Sequence, residues 1–509
     1  MMKTQIISIL SVIFVLLSLQ IYAETYNILD FGAKPDGAFL CTDAINEAVI
    51  KCNKNGGGTV IVPSGTFITG TIVLLSNVNL YLEPGSELFG SENLGDYKVF
   101  DQRRGIIYCE DAINVSISGK GTINAGGIRF YETDKNHIYD EFDKSRTRQK
   151  EGYMPEGTFF TDGPLKRKPK PGMTIVFFHC TKVSLTGITI LDTPSWATRF
   201  GYCDDVLIEG ITIQNNILIP NSDGIHLTVS RNIRISDCNI VAGDDAIVMT
   251  GFPKDEETPG FTSEEQNKHK YGNKSIYAEN LTVTNCILKS SSSGIRVGYG
   301  QHPIRRCVFS NIVIYDSHRG IGIFAHDASD IEELVFSDIT IETKLLNGQW
   351  WGHGEPVHLS CISRFEGYPA GQIKNVQFNN INAIGEQGIL VYGLKESPME
   401  NIRFNNVQIH IRKGKETMTY GGNFDLRPAT PRSMQIFQHD IPGIYAQYIT
   451  NLEIRNFSLT WGNDLPDFFT HGIECNHING LLIDGFYGAG NPNSPGALKI
   501  QSENTIFRE

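Results

Sequence analysis

The sequence predicts an all-β protein: a solenoid of the parallel β-helix type with a short N-terminal capping helix. Three observations carry that expectation. Short apolar runs interrupted by a small or polar residue recur along the chain. They recur with a base period of about 23 to 29 residues, and helical periodicity is nearly absent beyond residue 59.

Residues 1–23 combine Lys3, a short apolar run and Ala23, the pattern of a secretory signal peptide. The run is shorter than the roughly 20 residues of a comfortable membrane span. A secreted or periplasmic location is therefore expected, with residues 24–509 as a single β-helical domain and no later membrane span. After an apolar stretch at 27–37, Ala44, Ile45, Ala48, Val49 and Cys52 share one helical face. Thr42 or Asp43 is placed to cap that helix, and Gly56 to Gly58 end it. Such a helix would seal the exposed apolar end of something long.

The repeat follows. Residues 182–190 (KVSLTGITI), 205–213 (DVLIEGITI), 232–240 (NIRISDCNI), 280–288 (NLTVTNCIL), 375–383 (NVQFNNINA), 401–409 (NIRFNNVQI) and 451–459 (NLEIRNFSL) share alternating apolar positions around a turn residue. That residue is Gly187, Gly210, Asp237, Asn285, Asn380, Asn406 and Asn456 in turn. Leucine-rich repeats have a similar length, but their fixed leucine spacing is absent. In a parallel β-helix coils stack at about 4.8 Å, so residues one period apart become neighbours on the surface. Insertions near 129–172, 252–275 and 345–369 interrupt the pattern and are candidate walls of a cleft, or simple solvated loops.

The chain has 509 residues with 44 basic and 56 acidic side chains, a net charge of −12, which excludes general affinity for nucleic acid or anionic membrane. An anionic substrate would need a local basic pocket; Lys166, Arg167, Lys168 and Lys170 form one basic run. The ten cysteines are scattered. Several replace aliphatic residues within repeats, so buried free thiols are expected, with disulfides the alternative.

The chemistry concentrates at 221–251 (NSDGIHLTVSRNIRISDCNIVAGDDAIVMTG). Asp223 and Asp245 are 22 positions apart, close to one coil, and Asp244 precedes Asp245 directly. Adjacent residues of an ideal strand face opposite sides, so Gly243-Asp244-Asp245 should end a strand. Clustered carboxylates repel and raise the proton affinity of one of them. Glycoside hydrolysis uses that asymmetry: one carboxyl protonates the leaving oxygen, another activates water or attacks. Turn residues or a calcium site are the alternatives. No metal or cofactor is assigned. Trp196, Trp350 and Trp351 are candidates to stack on sugar faces.

These motifs resemble glycoside hydrolase family 28, the polygalacturonases and related pectin hydrolases. Asn221-Ser222-Asp223 is similar to its Asn-Thr-Asp and Gly243-Asp244-Asp245 to its Gly-Asp-Asp. DFGAKPDG, GGGTVIVPSGTF, LEPGSELFGS, TPSWATRFGYC and QWWGHGEPV extend the likeness over nearly the whole mature chain. The resemblance implies a right-handed parallel β-helix that cleaves pectic polysaccharides or oligosaccharides, of galacturonan or rhamnogalacturonan type, with inversion. Asp244 would be the general acid, and Asp223 and Asp245 would position and deprotonate water.

The chain departs from the family pattern where uronates are gripped. Ser293-Gly294 replaces His-Gly, Gly322-Ile323-Phe324 replaces Arg-Ile-Lys, and Thr250 replaces a lysine. Each lost charge-assisted bond is worth roughly 1.5 to 3 kcal/mol. Arg296, expected on the same face as Ser293, is the candidate replacement. Arg199, His226 and Asn221 join the candidate sugar contacts, with Arg319 and His326 as further cations. Attack from a chain end is expected because the insertions would close one end of the cleft. A β-helical lyase and a non-catalytic glycan-binding protein are the competing readings.

Overall fold

The computed structural model describes residues 24–99, 105–136, 163–252, 276–348, 350–367, 369–492, 494 and 496–508. The signal segment at 1–23 and most of the 129–172 and 252–275 insertions lie outside the described residues. Among the described residues one continuous ladder joins 32 strands. Each strand pairs in parallel with its equivalent on the next coil: Thr198–Gly201 with Ile225–Thr228, then Ile247–Gly251, Ser293–Gly300, Arg319–Phe324 and Val357–Ser360. The chain is therefore an all-β parallel β-helix.

The turn residues of the repeat explain how the coil bends. Gly187, Gly210, Asp237, Asn285, Asn380, Asn406 and Asn456 all have φ between 47° and 73°. Most side chains strain there, whereas Gly lacks a Cβ and Asn or Asp bonds locally. Asn232, Asn280, Asn375, Asn401 and Asn451 make a second left-handed corner. Stacking joins these corners by amide bonds, Asn280 Nδ2 to Asn232 Oδ1 at 2.8 Å and Asn401 Nδ2 to Asn375 Oδ1 at 2.8 Å. Inside, alternate residues form ladders. The rings of Phe309, Phe336, Phe378 and Phe404 stack nearly parallel with centroids 4.8, 5.1 and 4.9 Å apart, matching the strand spacing.

Helix Thr42–Lys54 buries Ala44, Ile45, Ala48, Val49 and Cys52 at the N-terminal end. Its cap differs from expectation. The N-cap is Cys41, whose side chain makes no capping bond to the helix, and the Thr42 hydroxyl instead accepts from Gly70 N at 2.7 Å. That bond ties the helix to the coil below rather than to its own first turn. All ten cysteines are buried free thiols.

A segment not singled out from sequence follows the Met399–Ile411 strand: a short helix Thr417–Tyr420 and an antiparallel pair, Phe424–Asp425 with Ile436–Phe437. It packs on the 345–369 insertion. His353 Nε2 lies 3.2 Å from Gly422 O, and Arg427 donates to Trp350 O at 3.2 Å. Among the described residues no helix is long and apolar enough to cross a membrane.

Candidate active site

Coil stacking brings the carboxylates together. Gly224 N donates to Asp245 O at 3.0 Å, and Ile225 pairs with Ile247, so Asp223 and Asp245 enter adjacent strands side by side. Ala197 N donates to Asp223 O and Ala246 N to Ser293 O, at 2.8 and 2.9 Å. Ser293 pairs in turn with Arg319. Trp196, Asp223, Asp245, Ser293 and Arg319 thus occupy equivalent places on successive coils.

Gly243-Asp244-Asp245 lies between strands Asn239–Ala242 and Ile247–Gly251, as the sequence requires. A Cβ on Gly243 would sit 2.3 Å from Ile219 O, so the turn needs glycine.

Each carboxylate has a distinct set of partners. Asp244 Oδ2 accepts from Asn221 Nδ2 and Oδ1 from Asp245 N, both at 3.0 Å. Asn221 Oδ1 accepts in turn from Arg167. Asp245 Oδ1 accepts from Ser292 Oγ and Ser293 N at 2.9 Å, and its Oδ2 pairs with Arg296 Nε. Asp223 Oδ2 lies 3.0 Å from His226 Nδ1, while its Oδ1 is buried without a hydrogen-bond partner. Arg296 lies 4.9 Å over the Tyr299 ring, and its Nη1 is likewise buried and unpartnered.

Burial first, then the Asp245 charge, pushes Asp244 up to about 7. Burial followed by the Asp244 and Asp245 charges drives Asp223 well above the usual carboxylate range, with Arg296 opposing. Burial, Arg296 and Arg199 hold His226 well below its ordinary value, so it is neutral. Desolvation works against the Arg296 charge, but Asp245, Tyr299 and Asp223 outweigh it and raise its value. Asp244 and Asp223 therefore both hold a proton more tightly than free carboxylates do, beside an Asp245 that is charge-paired.

The expected sugar contacts differ in how deeply they lie. Arg199, His226 and Ser293 are fully buried, as is Gly294. Arg199 sits 5.5 Å from the Trp196 ring and 5.8 Å from the Phe178 ring, covered by both. Ser293 meets Asp245 through its N–H and Arg319 through its hydroxyl, at 3.4 Å. Trp350 is packed inside, whereas Trp351, Trp196 and Asn221 remain half-buried. Arg296 does not share a face with Ser293 along a strand: it stands three residues on, between core residues Ile295 and Val297, and the two meet only at Asp245. His326 is buried and bonds Ser360 Oγ at 2.7 Å.

Sequence reasoning missed Ser292, although it belongs to the same serine run as Ser293. It also missed the buried cluster in which Arg319 Nη2 meets Glu355 Oε1 at 2.6 Å and His358 Nδ1 meets the same oxygen at 2.9 Å. Glu355 lies in QWWGHGEPV, the one available signal. Among the described residues, no group of three or more His, Cys, Asp or Glu is arranged to hold a metal ion.

Residues 155–330 match the model of the glycosyl hydrolases family 28, and residues 25–104 match that of rhamnogalacturonase A/epimerase, pectate lyase-like. A probable polygalacturonase of Vitis vinifera is 27% identical over 245 residues, 45% of this chain and 44% of its own length. The exo-poly-alpha-D-galacturonosidase of Dickeya chrysanthemi is 26% identical over 253 residues, 44% of this chain and 41% of its own. The chain thus spans less than half the length of either relative. The hyperthermoactive exopolygalacturonase of Thermotoga maritima superposes with a TM-score of 0.60 at 19% identity, covering 87% of this chain and 93% of that one, a likeness of fold.

Proposed function

We propose that this chain, of which residues 155–330 match the glycosyl hydrolases family 28 model, acts as a member of that family: it hydrolyses glycosidic bonds in a pectic polysaccharide or oligosaccharide, inverting the anomeric carbon and working from a chain end. The observation that carries the proposal is the placing of Asp244, raised to about 7, beside an arginine-paired Asp245 and, on the neighbouring coil, Asp223. Asp244 gives its proton to the glycosidic oxygen as the bond to the anomeric carbon breaks. Asp223 and Asp245 receive the proton of the water that attacks from the other side. Inversion rests on the family resemblance, and chain-end action is supported by the name of the Dickeya relative.

Arg296 is the cation proposed to read a uronate carboxylate. It stands beside Gly322, the position at which the family's arginine is missing, so the charge has moved one coil along. Its Nη1 still has a bond to give. The signal-like segment at 1–23 supports export to where pectic material is met. The test is digestion of galacturonan and rhamnogalacturonan fragments by wild type and Asp244→Asn, followed by anomer-resolved NMR. Inverted product from wild type and none from the variant is expected. An initially retained anomer would end the inverting mechanism, and an unsaturated product would replace hydrolysis with elimination.

A further inference from the structure

The chemistry just described asks two neighbouring aspartates to behave oppositely: Asp244 must hold a proton and Asp223 must lack one. Yet burial and like charge press both toward protonation. Geometry supplies what separates them. Asp244 takes its bonds from an amide side chain and a backbone N–H. Asp223 faces a histidine, at 3.0 Å.

The surroundings of His226 determine its orientation. Its ring is fully buried and stacks on Trp196, with centroids 3.5 Å apart and planes 12° from parallel. Its Nε2 lies 3.4 Å from Thr250 Oγ1, on the next coil. Arg199 and Arg296 press positive charge on the same ring, which disfavours a second proton. A neutral imidazole has one N–H, and a carboxylate can only accept. With Asp223 ionised, as the proposed water activation requires, the proton sits on Nδ1 and is donated to Asp223 Oδ2, leaving Oδ1 as the unpartnered oxygen. The groups that face Asp223 are His226, Asp244, Asp245 and Arg296.

We infer that His226 is a positioning residue that keeps Asp223 ionised and aims its free oxygen at the water, so that the proton held by the carboxylate cluster resides on Asp244. Trp196 covers this device: one face holds the imidazole flat, and the side chain as a whole is half-buried. Thr250, at the position of the family's lysine, is part of it, since a long cation there would meet the Nε2 side of the ring. The inference rests on the hydrolytic reading of the site.

The test uses the full chain in three variants. His226→Phe keeps an aromatic ring against Trp196 but removes the donor; His226→Met is a second variant without a donor, should the first not fold. His226→Asn restores an N–H near the Nδ1 position. With a pectic fragment that wild type cleaves, the donor-less variants should lose kcat at least about tenfold on the acidic side while KM changes little. Their acidic limb should move up by about one pH unit, a tenfold change in ionised fraction. The Asn variant should return the limb toward wild type.

Equal loss at every pH, or a limb that the Asn variant leaves displaced, would overturn the inference in favour of a packing role. Infrared pH titration of the protonated carboxyl band, assigned with Asp223→Asn, reads the same displacement without turnover. Should wild type cleave none of the fragments, the hydrolytic reading fails while the titration still decides the hydrogen bond; an unmoved band would refute it.

Discussion

Replacing Asp244 with asparagine should change how the stability of this protein depends on pH. The side chain is 6% exposed, and its folded-state value of about 7 stands above the ordinary 3.8. A carboxyl whose value rises on folding stabilises the fold fully below its unfolded value, and that contribution disappears as the pH climbs through the folded value. Here the window runs from about pH 4 to about pH 7. At about 1.36 kcal/mol per pH unit, the rise corresponds to a ceiling of about 4 kcal/mol. Asp223 and Asp245 share the same field, so removing one charge also relieves its neighbours, and about 2 to 4 kcal/mol is the expected range.

Asparagine is neutral throughout and can still accept from Asn221 Nδ2 or Asp245 N, though not from both as well as two oxygens do. A small loss at pH 4.5 is therefore expected, turning into a gain relative to wild type at pH 8. Guanidinium unfolding at the two pH values, followed by tryptophan fluorescence, measures the difference. A wild-type-to-variant difference that is the same at both pH values would refute the claim that Asp244 keeps its proton through burial and the charge of Asp245.

With Asp244 as the proposed general acid, kcat/KM on pectic fragments should decline as the pH rises through about 7, read from a pH–rate profile. Arg319→Met strands the buried Glu355 and should cost about 3 to 5 kcal/mol in urea unfolding, whereas adding Glu355→Gln should recover most of it. Trp350→Ala should cost about 3 to 5 kcal/mol through the cavity it leaves, while Trp351→Ala, at a half-buried side chain, should cost far less. Native protein should leave its ten thiols unreactive toward a thiol reagent, and guanidinium should expose all ten.

The fold was legible because it is periodic. Asn232, Asn280 and Asn375 recur where the backbone must turn left-handed, and that requirement leaves few residue choices, so it prints itself on the sequence. The carboxylate cluster was legible for the same reason: 22 positions is one coil. Other parts were hidden because depth is not periodic. Arg199 and His226 sit at paired positions of adjacent strands, yet whether they face sugar or lie beneath Trp196 depends on that tryptophan folding back over them. The pairing of Arg296 with Asp245 joins residues 51 apart across an insertion, and no local pattern announces it.

Val248 lies directly beside Arg296, although more than forty residues separate them in the chain. Backbone pairing sets the docking of one coil on the next, and that pairing is indifferent to how much polypeptide is spliced between them. The chain between coils can therefore lengthen, shorten or be exchanged during evolution without displacing the clustered carboxylates.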